Sequence, residues 1–344
     1  MKGTKNKAQM AEREVAVNRD MRRIGYYSDA VRARQSRHET ACSPTGIIRS
    51  GCEGIISALQ NWRHPCAVTN LYIEYLAKQM EPSKNNNYLE LALRAAAAAS
   101  HELLNHLGDQ NESLVIRAKR DGSLVSSVDL ESHHIIQGIL SEIDIPIISE
   151  EGNLPPFSER KDWPMFWLVD PLDGTESYLK SRSGFAVNIA LCDANGPFLG
   201  VIADPLADKI YAGAVGIAPF TCSISSITFR TAIQQLPAVE PFLLVTSWNE
   251  SVPWPDLLPA GLNPDQFTSK PLSGALKFCH IVTGQADVHV RSGSYMEWDC
   301  AAGDGLLKSI GLQIRSRDTG LPLAYNSMSL RVGGLWASRF HPKS

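Results

Sequence analysis

The sequence predicts an α/β protein, and three observations carry that prediction. Short apolar runs of strand character, among them Ile147-Ile148-Ser149, Phe166-Trp167-Leu168-Val169 and Phe242-Leu243-Leu244-Val245, are interleaved with helix-forming stretches. Alternation of this kind indicates layers of sheet and helix. Two of the runs end in acids and a glycine, at Glu150-Glu151-Gly152 and at Asp170 to Gly174. Ligands bind at the carboxyl ends of strands in open α/β sheets, so acids placed there are expected to do chemistry. Finally, 344 residues with 44% hydrophobic and 20% charged content suffice for a substantial core. No apolar run approaches the ~20 residues that span a bilayer.

Taken in order, residues 1–79 form a basic extension with 13 Lys+Arg against 7 Asp+Glu, a balance of +6 that leaves −9 for the rest of a chain totalling −3. The extension has no continuous apolar core of a signal peptide, and the early acids Glu12, Glu14 and Asp20 argue against a transit sequence. It is expected to be poorly ordered and solvated, or absent from a native product that starts at Met80, which tryptic peptides from residues 1–79 would disprove. Residues 80–220 are read as an N-terminal α/β half carrying a metal site, and 221–344 as a C-terminal half carrying Asp299 and substrate contacts. The alanine-rich stretch from about Tyr88 to Leu107 is the first helix. Asp121-Gly122, between Leu114-Val115-Ile116 and Leu124-Val125, signals a hairpin, and Asp129 opens an amphipathic helix ending near Ile143. Gly152 to Pro164 reads as a surface loop, and five prolines between Pro237 and Pro259 mark the passage into the C-terminal half.

The most informative stretch is Asp170-Pro171-Leu172-Asp173-Gly174-Thr175. Pro171 stiffens the exit from the strand, so Asp170 and Asp173 can face one small space. Magnesium takes oxygen ligands at roughly 2.0–2.1 Å in near-octahedral geometry, which two carboxylates and the carbonyl of Leu172 can supply in part. Alternatively, two Asp around a proline make a turn and cap a helix. Glu150 at the end of a second strand and Asp299, in Trp298-Asp299-Cys300-Ala301-Ala302-Gly303, at the start of a helix add further acids. Crowded carboxylates share protons or bind cations.

Ser149-Glu150-Glu151-Gly152, Asp170 to Thr175 and Trp298-Asp299-x-Ala301-Ala302-Gly303, in this order and at these separations, resemble the three signatures of the inositol monophosphatase superfamily, magnesium-dependent and lithium-sensitive phosphomonoesterases. The resemblance runs from about Tyr88 to the C-terminus and implies a layered αβαβα sandwich of the inositol monophosphatase and fructose-1,6-bisphosphatase type. It implies that Glu150, Asp170, the carbonyl of Leu172, Asp173 and Asp299 hold two or three Mg2+ ions, and that Glu150 and Thr175 orient the attacking water. Gly174, Thr175 and Asp299 stand at helix starts that would face the phosphate. The small Ala301, Ala302 and Gly303 serve either that approach or tight helix packing. The hairpin would close over the metals, with Asp121 and Lys119 placing water or a third ion; Leu124 and Ser126 replace the proline and threonine usual there.

Ser273-Gly274-Ala275-Leu276-Lys277-Phe278-Cys279, Arg291 and Met296-Glu297-Trp298-Asp299 are similar to the CysQ branch, the 3'(2'),5'-bisphosphate nucleotidases. The implied reaction is hydrolysis of adenosine 3',5'-bisphosphate, a by-product of sulfate assimilation, to AMP and phosphate. Ser273, Lys277 and Arg291 would then join Leu172, Asp173, Gly174, Thr175 and Asp299 in binding substrate, since a phosphate that is not cleaved needs its own cationic partner. Glu176, where the branch is often basic, and Gly293-Ser294-Tyr295, which lacks a common proline, depart from the pattern. An inositol or other sugar phosphate is the alternative substrate. A non-catalytic phosphate-binding or scaffold protein is the alternative class.

The implied partner is a small phosphorylated nucleotide, not nucleic acid, bound by a monomer or homodimer. A cytoplasmic location is expected, with peripheral attachment to the inner membrane left open. Seven cysteines without C-x-x-C spacing suggest neither disulfides nor zinc, and Cys279 and Cys300 are read as packing thiols.

Overall fold

The computed structural model describes residues 84–108, 116–118, 124–293 and 295–340. The basic extension and the hairpin tip with Lys119 and Asp121 therefore lie outside the described residues. The first helix, α1 (Lys84–Gly108), extends a turn beyond the alanine-rich stretch and buries Leu89, Leu93, Ala96, Ala99 and Leu103 along one side. Strands β1 (Ile116–Ala118) and β2 (Leu124–Ser126) pair antiparallel as the hairpin signal predicts. Helix α2 (Ser127–Leu140) starts in a capping box in which the Asp129 carboxylate accepts the Ser126 N–H at 2.8 Å. Its last turn stops three residues short of Ile143.

A seven-stranded sheet follows in the order β3 (Ile147–Ser149), β4 (Met165–Asp173), β5 (Ala186–Asp193), β6 (Gly196–Asp204), β7 (Lys209–Ala214), β8 (Ile217–Cys222), β9 (Thr231–Ala232). Only the β3–β4 pair is parallel; the remainder is an antiparallel meander. Side-chain alternation divides the sheet between two cores: Trp167, Val169, Val187 and Ile189 face α1 and α2, while Phe166, Leu168, Ala186 and Ala190 face the other way. The stretch read as a surface loop contains a one-turn helix, α3 (Phe157–Arg160), whose last residue, Arg160, is buried.

On the second face lie α5 (Leu276–Thr283) and α6 (Glu297–Lys308), and beyond them a five-stranded sheet in the order β11 (Phe267–Pro271), β10 (Phe242–Thr246), β12 (Val288–Arg291), β16 (Leu335–Ser338), β14 (Arg315–Ser316). The short helix α4 (Thr175–Ser181) follows β4, and a two-stranded ribbon, β13 (Tyr295–Met296) with β15 (Arg331–Val332), lies beside α6. A third core, with Leu257, Phe267 and Trp336, covers the outer face of the small sheet under the segment 252–262, whose 3-10 turn is Trp254–Leu257. The helix–sheet–helix–sheet layering is the predicted architecture, with 3-10 turns where a fifth layer of helix is expected.

Helix α6 sits unusually close to the large sheet. A Cβ on Gly200 would fall 2.0 Å from the Ala302 carbonyl oxygen, and one on Gly305 would fall 2.5 Å from the Leu199 carbonyl. Gly303 likewise meets the Phe278 ring, so the small residues of this helix serve tight packing.

Candidate active site

Four acids sit where these elements converge. Glu150 leaves β3, with its N–H on the Val169 carbonyl at 3.1 Å, and Asp170 is the sixth residue of β4. The sequence suggests that the strand ends at Val169. Instead it runs to Asp173 across a register shift, because β5 goes on pairing, Asp170 opposite Asn188 and Asp173 opposite Ala186. Asp299 occupies the first turn of α6, where its carboxylate accepts the Met296 N–H at 2.8 Å.

Oxygens of Glu150, Asp170 and Asp299 all lie within 4.8 Å of one another. Asp170 is 2% exposed, and burial followed by the charges of Glu150, Asp173 and Asp299 pushes its carboxyl well above the ordinary carboxylate range. Burial, Asp173 and Glu150 do the same to Asp299. Hard oxygen donors, buried and mutually repelling, are a donor set that a divalent cation relieves. An unpartnered buried oxygen nearby, Oδ1 of Asn188, fits the same reading.

Asp173 stands beside this trio rather than within it. It accepts the backbone N–H of Ala275 and, at 3.1 Å, the Asn188 amide. Burial raises its pKa, and the Lys277 charge opposes the rise. A Cβ on Gly274 would lie 2.7 Å from Asp173 Oδ2, and Gly274 has φ +54°, so the turn before α5 presses its backbone against this carboxylate.

The Thr175 hydroxyl donates to Asp129 Oδ1 at 2.8 Å and lies 3.3 Å from the Leu172 carbonyl oxygen. Asp129 is buried, and its second oxygen is taken by Ser126 N–H and Oγ. Gly174, at φ +92°, makes the turn into α4, and a Cβ there would sit 2.9 Å from the Gly184 carbonyl. Ser273 packs against Gly184 from the other half of the chain.

The two expected cations differ in their surroundings. Lys277 is 1% exposed, gives one hydrogen bond to the Leu272 carbonyl at 3.2 Å, and is pulled down to about 8 by burial, with Asp173 resisting. Arg291 is engaged within the protein: Nε donates to the Gly293 carbonyl, one terminal nitrogen donates to Asn249 at 2.7 Å, and Glu250 lies 3.9 Å away. Both cations stand over the Tyr295 ring, at 6.0 and 5.2 Å.

Sequence reading takes Asp129 for a helix opener only and assigns no role to Asn188 or Glu297. The signal for Asn188 is a lone amide in the apolar run Phe185 to Leu191. Glu297, wholly buried at the start of α6, accepts the N–H groups of Asn326 at 2.6 Å and Ser327 at 2.8 Å. Arg160 reaches the same loop through Asn326 Oδ1 and the Met328 carbonyl. The β3–β4 connection, with Glu150 and Asp170 at its two ends, is thereby braced to the helix that carries Asp299. A second cluster, Glu102, His106 and Glu131, joins α1 to α2 through a hydrogen bond between His106 Nε2 and Glu131 at 2.7 Å. The four described cysteines are buried and unpaired by disulfides, consistent with packing thiols. Among the described residues no helix is long and apolar enough to cross a membrane.

A layered α/β chain with a buried carboxylate cage at the ends of β3 and β4, a hydroxyl–carboxylate pair beside it and a buried lysine facing it is the pattern of metal-dependent phosphate-ester hydrolases. Residues 84–342 match the model of the inositol monophosphatase family. The chain is 33% identical over 220 residues to the 3'(2'),5'-bisphosphate nucleotidase CysQ of Escherichia coli strain K12, covering 63% of this chain and 85% of that one. It is 32% identical over 257 residues to the CysQ of Buchnera aphidicola, covering 73% and 93%. Among solved structures, CysQ from Bacteroides thetaiotaomicron, a bacterial member of the family, superposes with a TM-score of 0.64 at 27% identity, over 73% of this chain and 96% of that one. The inositol monophosphatase of Anabaena shares the fold, with a TM-score of 0.55 at 24% identity over 74% and 92%. The chain belongs to the inositol monophosphatase family, and within it to the CysQ type. It is a phosphatase of that family.

Proposed function

We propose that this enzyme hydrolyses adenosine 3',5'-bisphosphate to AMP and phosphate in a magnesium-dependent reaction. What supports the reading above all is the convergence of Glu150, Asp170 and Asp299 within 4.8 Å, with Asp173 and Lys277 beside them. The named CysQ relatives support the choice of ester.

In this reading Glu150, Asp170, the Leu172 carbonyl, Asp173 and Asp299 hold the cations. Bound there, magnesium supplies Lewis-acid polarisation of the phosphate and a water of lowered pKa. The Thr175 proton is directed at Asp129, so its lone pairs are left to accept a hydrogen bond from a water. Thr175 and Glu150 thus orient the nucleophile, and Asp129 holds Thr175 in the accepting state. Attack by the water oxygen forms the new P–O bond as the bond to the ribose oxygen breaks; the water's proton passes by way of Thr175 to Asp129, and the leaving ribose oxygen takes up a proton from solvent. In the same reading Gly174 and Ser273 line the approach, Lys277 and Arg291 supply positive charge to the second phosphate, and Asp121, outside the described residues, is assigned the placing of water or a further ion.

The test is turnover of adenosine 3',5'-bisphosphate against inositol-1-phosphate by the purified chain, with and without Mg2+ and then with Li+ added. A clear preference for the inositol ester overturns the nucleotidase reading. Failure to turn over either ester in Mg2+ overturns the catalytic one.

A further inference from the structure

We propose that Trp248 is the platform on which the purine base of the substrate stacks, an inference that rests on the bisphosphate nucleotide reading above. Trp248 is 71% exposed, so a broad aromatic face is open to a ligand. It stands two residues past the end of β10, which runs parallel to both β11 and β12, so it rises from the carboxyl edge of parallel strands.

Its chain neighbours tie it to the site. The Thr246 carbonyl accepts the Leu272 N–H at 2.9 Å, and the Leu272 carbonyl in turn holds Lys277. Ser247 Oγ is 3.1 Å from the hydroxyl of Tyr295, whose ring underlies both Lys277 and Arg291. Asn249 accepts from Arg291, and Glu250 accepts Ser292 N–H at 2.9 Å and Ser292 Oγ at 2.6 Å. Glu250 N–H closes the turn on the Ser247 carbonyl at 3.2 Å.

Every residue flanking the indole is therefore pinned, while the indole itself faces solvent. A flexible loop would have to be ordered on binding, and this one is already ordered. Arg291 has its place in the same arrangement: it builds the rim that presents Trp248. A planar, uncharged, π-faced group is what such a surface takes, and a purine joined through ribose to a phosphate near Lys277 has that chemistry.

The experiment compares the full-length wild type with Trp248→Ala and Trp248→Phe. AMP is the probe and ribose 5-phosphate the base-free control; binding is read by tryptophan fluorescence and calorimetry, and turnover of adenosine 3',5'-bisphosphate by phosphate release. AMP is expected to quench wild-type fluorescence, and Trp248→Phe to lose most of that quenching while still binding. Trp248→Ala is expected to weaken AMP and raise KM about tenfold, with kcat within about twofold and ribose 5-phosphate affinity unchanged. Wild-type AMP affinity in Trp248→Ala, or equal weakening of AMP and ribose 5-phosphate, overturns the inference and leaves the nucleotidase reading standing. A wild type that neither binds AMP nor turns over the bisphosphate overturns both.

Discussion

Thr175 and Asp129, on α4 and α2, form a hydroxyl–carboxylate pair 2.8 Å apart, beside the carbonyl of Leu172. In the proposed reaction this pair assists the attacking water, and general-base assistance contributes about 10²- to 10⁴-fold to a rate. Asp129→Asn can point its amide at Thr175 and reverse the hydrogen bond, so kcat should fall at least about a hundredfold with KM changed little. Thr175→Ala should fall as far, and the double variant no further than the worse single one. Steady-state kinetics of the three variants check this.

The acid cage predicts a pH dependence of known sign. Asp170 and Asp299 have pKa values raised above those of the unfolded chain, so their contribution to stability is greatest at low pH and is lost as pH rises through the folded values. The metal-free protein should melt at a higher temperature near pH 5 than near pH 8, setting other groups aside. Protons and cations compete for the same oxygens, so Mg2+ should raise the melting temperature more at pH 8, and its half-activating concentration should climb as pH falls. Thermal melts across pH, with and without Mg2+, read both effects.

Asp173 does two jobs, since the carboxylate that faces the cage also receives the Ala275 N–H. Asp173→Asn keeps a carbonyl oxygen for that N–H but removes the charge. Magnesium-dependent turnover should fall by about two orders of magnitude or more, with the melting temperature within a few degrees of wild type. Near-normal activity would remove Asp173 from the proposed set of metal-holding residues.

Glu297→Ala strips acceptors from two backbone N–H groups and a counter-charge from Arg160. Denaturant unfolding should register a loss of about 3 kcal/mol, the usual cost of orphaning buried partners. Because the brace links the β3–β4 connection to α6, Arg160→Ala should also raise the Mg2+ concentration for half-activation severalfold, and Arg160→Lys should recover only part of it.

The acids at 150, 170, 173 and 299 were legible because each ends an apolar run or opens a helix, a local signal that needs no tertiary knowledge. What they touch was not. The pairing of Asp129 with Thr175 spans 46 residues, and that of Arg291 with Asn249 spans 42. A basic residue near a strand end reads the same whether it meets solvent, phosphate or an asparagine. The continuation of β4 through Pro171 ran against strand propensity and was imposed by pairing with β5, a tertiary override of a local preference. The burial of Lys277 in the first turn of α5 was equally invisible, since a lysine at a helix start is ordinarily solvated.

At the seam where Gly200 and Gly305 let α6 touch β6, even one added methyl collides with main chain. Asp299 rides on that helix, so its distance from Glu150 and Asp170 is a hard-wired length that side-chain exchange along the seam cannot stretch. On the rim the constraint is lighter: the exposed indole of Trp248 can be exchanged without touching main chain, whereas its neighbours Ser247, Asn249 and Glu250 are fastened to Tyr295, Arg291 and Ser292.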